Sequence, residues 1–141
     1  MTYEEYLQKY STLTYRNVGV SMLPLLRQGR DLFTVEKKTD RRCKKYDVVL
    51  YRRPNSQYVL HRIVKVKSDS YVILGDNCIE KEYNIKDEDI LGVMTEFQRK
   101  GKTYSVHCLW YQLYERLWYF LYPFRKARYY LKLRFWGGKQ K

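Results

Sequence analysis

Three short runs, Ser21-Met22-Leu23-Pro24, His61-Arg62-Ile63-Val64 and Gly75-Asp76-Asn77, follow one another along a chain of 141 residues. Together they supply a hydroxyl, an imidazole and a carboxylate, the groups that acyl transfer through a serine requires. A serine hydroxyl is a weak nucleophile until a neighbouring base takes its proton, and that base needs a third group to fix its ring. Histidine suits the role of base because it titrates near pH 6.5 without help from its surroundings. Two acids can serve as the third group: Asp76, inside the last run, and Glu82, six positions beyond it. Taken singly, each residue is ordinary: a turn serine, a strand histidine, an Asp-Asn turn after glycine. Their order, with Ser21 and His61 forty positions apart, raises hydrolytic chemistry.

From about Val18 to Val93, a little over half of the chain, these runs resemble the boxes of type I signal peptidases. In that family a Ser-Met-x-Pro box carries the nucleophile. A Gly-Asp-Val-Val strand follows, here Tyr46-Asp47-Val48-Val49, then a box with the general base, then a Gly-Asp-Asn box. Bacterial members place lysine at the base position. Leu60-His61-Arg62-Ile63-Val64 is instead similar to the histidine-base enzymes of the endoplasmic reticulum and archaea. The resemblance implies a serine endopeptidase acting on a protein or peptide precursor, with Ser21 as nucleophile, His61 as base and no cofactor or metal. It sets Glu82 where the histidine-type enzymes carry their relay acid, which favours Glu82 for the relay and Asp76 for holding the site together. Two positions depart from the pattern. Gly19 stands where a serine or threonine normally assists the oxyanion hole, leaving that hole to backbone N–H groups, Ser21's own among them. Losing one such donor costs ~2.7–4 kcal/mol of transition-state stabilisation. Tyr46 replaces the glycine before Asp47, a change in a turn. A self-cleaving repressor-type domain is the related alternative, but it uses a lysine base and position 61 holds histidine. A non-catalytic, membrane-interfacial binding module on a peptidase fold is the alternative from another class.

Hydrophobic residues make up 45% of the chain and charged residues 30%, a globular balance for one domain with a modest core. The net charge of +13 calls for an anionic partner. From Gln98 onward there are eleven Lys or Arg against one acid, Glu115, so most of the excess lies in the last third. Cys43, Cys78 and Cys108 are odd in number and form no C-x-x-C pair, which argues against a disulfide framework or a zinc site. Cys78 is read as a small apolar wall residue beside Asn77. No apolar h-region is evident at the N-terminus, and no run reaches the ~18–20 apolar residues of a spanning helix. Peripheral membrane association is therefore expected, with a cytoplasmic location as the alternative.

The elements that must position these residues are mainly strands. Thr2 to Leu13 has the spacing of a short amphipathic helix. Tyr15–Val20, Asp31–Lys37, Asp47–Arg52, Tyr58–Val66, Tyr71–Leu74 and Leu91–Phe97 read as strands. The fold class expected is mainly β: a coiled antiparallel barrel or sandwich, preceded by a short helix and followed by an aromatic, basic C-terminal helix. This divides the chain into residues 1–14, 15–97 and 98–141. The tail between 109 and 135 interleaves Trp, Tyr, Leu and Phe with Arg and Lys, and Pro123 is expected to break or kink its helix. Such a segment suits the plane of a membrane surface. Packing on the β-domain is the plainer reading, and nucleic acid is the least favoured partner because no recognised motif accompanies the composition.

Overall fold

The computed structural model describes residues 1–139. Thr2 caps the first helix, α1 (Tyr3–Tyr10): its hydroxyl accepts from the Glu5 N–H, and the Glu5 carboxylate accepts from the Thr2 N–H. This reciprocal capping box satisfies two of the orphan donors at the helix start. Ser11, at φ 67, ends the helix in a left-handed turn, and β1 (Thr12–Arg16) follows at once. The helix expected to reach Leu13 therefore stops earlier, and Leu13 enters the core from a strand. The strand expected over Tyr15–Val20 ends at Arg16, leaving an irregular segment before Ser21.

The remaining strands are β2 (Leu32–Lys37), β3 (Val48–Arg52), β4 (Tyr58–Val66), β5 (Tyr71–Leu74), β6 (Glu82–Ile85), β7 (Ile90–Arg99) and β8 (Lys102–Ser105). They form one open antiparallel sheet in the order β1-β2-β7-β3-β4-β5-β6, with β8 paired to β7. The fold is thus mainly β and antiparallel. Two strands were not anticipated. β6 is short and mostly exposed, with Asn84 at φ 61, so it lacks alternating burial. β8 follows Lys100 and Gly101, both at positive φ, which is the two-residue type I′ turn that joins twisted strands. Arg99 pairs with Lys102 across it, so the sheet continues beyond Phe97.

Alternation along β3 and β4 organises the interior. Val48 and Leu50 pack with Leu7, Leu26, Phe33 and Phe97, while Val49 and Tyr51 pack with Ile63, Ile73 and Ile90. β3 is therefore covered on both faces, as its apolar run requires. On β4, His61 and Arg62 are both buried, and successive side chains of a strand point to opposite faces. The two thus serve different sides of the sheet. The C-terminal region is two helices, α2 (Leu109–Phe120) and α3 (Tyr122–Lys139). They divide at Leu121, and Pro123 falls in the first turn of α3, where its missing N–H is harmless.

Candidate active site

Ser21 begins a turn that spans residues 21–25. Its neighbours anchor that turn: Met22, Leu25 and Leu26 are buried in the main core, and the Leu26 N–H donates to the Met22 carbonyl (2.9 Å). Ser21 itself stays half-buried at the surface of a cleft of about 510 Å³, whose lining includes Gly19, His61, Asn77 and Cys78. The Gly-Asp-Asn loop holds the serine segment from the other side. The Asn77 N–H donates to the Ser21 carbonyl (2.8 Å), and the Asn77 side-chain amide donates to the Val20 carbonyl (3.1 Å). Gly75 is there because of close approach. A Cβ on it would lie 2.6 Å from Cys78 Sγ and 2.9 Å from both His61 Nε2 and the Ser21 carbonyl oxygen. No side chain fits, and the same contacts bring His61 Nε2 to the serine turn.

The other ring nitrogen of His61 meets a residue that the sequence reading passed over. Val49 pairs with His61 and Tyr51 with Val59, so Tyr51 and His61 are diagonal neighbours on one face of the β3–β4 pair. The Tyr51 hydroxyl lies 3.3 Å from His61 Nδ1 and donates its proton to Glu82 Oε2. Its oxygen is then left to accept, so the Nδ1 contact is made by an Nδ1–H and the ring carries its lone pair on Nε2. Glu82 is held in turn by Arg53. Glu82 therefore makes no hydrogen bond to the imidazole; the Tyr51 hydroxyl stands between them, with Arg53 behind Glu82. Burial is the largest influence on His61 and pushes its pKa down to about 4, against an upward pull from Glu82 and Asp76. The ring is neutral at physiological pH.

Asp76 has a different office. Its carboxylate receives two bonds from Arg62, Nε to Oδ1 at 2.9 Å and an η-nitrogen to Oδ2 at 3.0 Å, and a third from the Tyr114 hydroxyl at 2.7 Å. Its backbone carbonyl accepts from Trp118 Nε1 (2.7 Å) and from Arg125 (2.8 Å). Arg62 and Asp76 are each only 2% exposed at the side chain, and Arg62 also donates to the Tyr46 carbonyl, the Tyr111 hydroxyl and Glu115. A buried ion pair holds only when its remaining hydrogen-bonding capacity is filled, as here. Strand β4 thus turns His61 toward the cleft and Arg62 toward the tail, and Asp76 ties α2 and α3 to the loop that carries Asn77.

The two departures from the family pattern have structural reasons. Gly19 sits at φ +82 with open space around it; a serine there would meet no clash but would strain the backbone. Its N–H is committed to Gln28 Oε1 (2.7 Å), so it is not a free oxyanion donor. Tyr46 also holds a positive φ, 80, the conformation for which glycine is the usual choice. Its ring is retained by Arg116 at 5.5 Å and by an edge contact with Tyr119 at 6.5 Å. Cys78 lines the cleft as expected, and burial raises its thiol pKa, which keeps it protonated and weakly nucleophilic.

No family model and no curated protein matches this chain. Of the four residues singled out by sequence, Ser21 and His61 share the cleft, Glu82 joins through Tyr51, and Asp76 lies on the structural side of the loop. Tyr51 and Arg53 were missed. A tyrosine within an apolar strand carries no signal until the register with β4 is known.

Proposed function

We propose that this chain is a serine endopeptidase of the signal-peptidase type, cleaving a protein or peptide precursor at a membrane surface. The observation that carries this reading is the divided imidazole: Nε2 beside the Ser21 turn, Nδ1–H tied to Tyr51 and through it to Glu82. Ser21 Oγ attacks the scissile carbonyl as His61 Nε2 takes its proton, and the same proton then passes to the leaving amine. Water hydrolyses the acyl-enzyme by the reverse use of the same base. A low pKa keeps the free base available at neutral pH. It also makes the imidazolium costly, and the charge on Glu82, relayed by the Tyr51 hydroxyl, offsets part of that cost. The Ser21 N–H is the oxyanion donor. Peripheral attachment through residues 109–135 brings the cleft to its substrate; no helix of the described residues is long and apolar enough to cross a membrane.

The test is cleavage of a mixed peptide library by the purified full chain, read by mass spectrometry. Cuts that vanish in both Ser21→Ala and His61→Ala support the reading. An identical fragment set from Ser21→Ala would remove it.

A further inference from the structure

We infer that the face built by α2, the start of α3 and the loops beside β4 is a docking site for an anionic phospholipid surface, with a groove that takes phosphorylated headgroups. Three independent features meet there. The first is an apolar row. Leu109, Leu113, Leu117, Phe120 and Phe124 follow the helical spacing of three or four residues, and all are more than half exposed. Leu121 at the junction keeps right-handed helical angles, so the row continues from α2 into α3, and Leu131 and Phe135 extend it at the same phase. The opposite side of these helices is occupied: Tyr111 and Tyr122 are buried, and Tyr114 and Trp118 bond to Asp76. The apolar row therefore faces away from the sheet.

The second feature is a groove of about 880 Å³ at the α2–α3 junction. Leu117 and Phe120 form one wall, and Lys45, Lys81, Arg116 and Lys126 supply its charge, with no acid in its lining. The third is that these cations are held in place by rings. Lys45 lies 5.4 Å from the Tyr119 centroid, Lys81 4.9 Å from Tyr122, Arg116 5.5 Å from Tyr46 and Lys126 5.9 Å from Tyr122. Cation–π contacts keep a cation near a surface without neutralising it. Arg116 is also paired with Glu115 at 3.5 Å, so Lys45, Lys81 and Lys126 are the cations that leave the groove open to an anion. Lys65 and Lys67 line an adjoining recess with Lys81 and carry the positive field onto the sheet.

Leucine and phenylalanine in a continuous row, flanked by cations, match a bilayer whose acyl chains and headgroups lie side by side. Leucines do not stack on bases, which disfavours single-stranded nucleic acid. Because Asp76 joins α2 and α3 to the loop holding Ser21, docking would set the cleft at a fixed height above the bilayer. The lipid site itself does not depend on the serine chemistry.

The experiment is co-sedimentation of the full chain with vesicles of phosphatidylcholine alone and of phosphatidylcholine with about one third phosphatidylserine, at low and high salt. Binding to the anionic vesicles, weakened by salt and absent from the neutral ones, is expected. Lys81→Glu with Lys126→Glu is expected to weaken it at least tenfold, since each basic residue near such a surface contributes about fivefold. Leu117→Asn with Phe120→Asn weakens it by a similar factor through lost apolar contact. Leu117, Phe120 and Lys126 are exposed and Lys81 is half-buried, and unchanged thermal unfolding confirms that each variant is folded. Ser21→Ala binds as the wild type does, so failure of the peptidase reading leaves this result standing. Equal binding to neutral vesicles, full binding by Lys81→Glu/Lys126→Glu, or binding to single-stranded oligonucleotide with none to vesicles would each overturn the inference.

Discussion

Replacing Tyr51 with Phe isolates one hydroxyl. The ring is completely buried between Val49, Ile63 and Ile73, and Phe keeps that packing. What disappears is the group that donates to Glu82 and accepts from His61 Nδ1–H. Glu82 keeps Arg53, so the uncompensated loss falls on the imidazole. A buried donor without a partner costs ~1–3 kcal/mol, and the ring can escape that cost by rotating or changing tautomer. Either response takes the Nε2 lone pair away from the serine turn, by moving the nitrogen or by protonating it. At 1.36 kcal/mol per tenfold in rate, the expected slowing is roughly 5- to 150-fold. The assay is the rate at which a serine-reactive fluorophosphonate modifies Ser21, followed by intact mass, so no natural substrate is needed. Thermal unfolding run alongside should move by only a few degrees. Tyr51→Phe labelled within twofold of the wild type, with its fold intact, would refute the relay through tyrosine.

Other consequences follow from the same contacts. Gly75→Ala drives a methyl group to 2.6 Å from Cys78 Sγ and 2.9 Å from His61 Nε2; labelling of Ser21 should fall at least tenfold while circular dichroism still reports the sheet, and normal labelling would contradict the close approach. Asp76→Ala leaves the Arg62 guanidinium buried without its carboxylate, a loss of ~3–5 kcal/mol; denaturant unfolding measures it, and a change under 1 kcal/mol would deny Asp76 its anchoring role. Glu115 is buried beside Arg62, and desolvation lifts its pKa to about 7. The folded protein then keeps a proton that the unfolded chain has released above about pH 4.5, so this carboxyl costs stability as pH rises from 4.5 toward 7. Glu115→Gln should therefore gain melting temperature on the wild type across that window, and a difference that stays constant with pH would contradict the shift.

Much of this arrangement was legible because short-range rules govern it. β2 to β5 and β7 announced themselves by alternation and by turn residues such as Pro54-Asn55, and Ser21, His61 and the Gly-Asp-Asn run came from their order. What escaped was long-range. Tyr51 gains its role only from the register of β3 against β4. Arg62, adjacent to His61, was given no role from the sequence, yet it is the buried hub that fixes the tail through Asp76, Tyr111 and Glu115. Gly75 was readable as a turn, but its reason is crowding by three partners from elsewhere in the chain. The tail's composition pointed to both packing and membrane contact. In the helices Tyr111, Glu115 and Tyr122 are buried and Tyr114 and Trp118 bond to Asp76, whereas Leu109, Leu113, Leu117, Phe120 and Phe124 are exposed, as are Trp110, Tyr129 and Tyr130.

The most direct test of the central claim compares protein N-termini in cells producing the wild-type chain or Ser21→Ala at equal levels. A set of new N-termini that requires Ser21, and shares a common residue pattern before the cut, is the predicted result. Indistinguishable N-terminal profiles, with both proteins folded and abundant, would contradict the assignment as a peptidase.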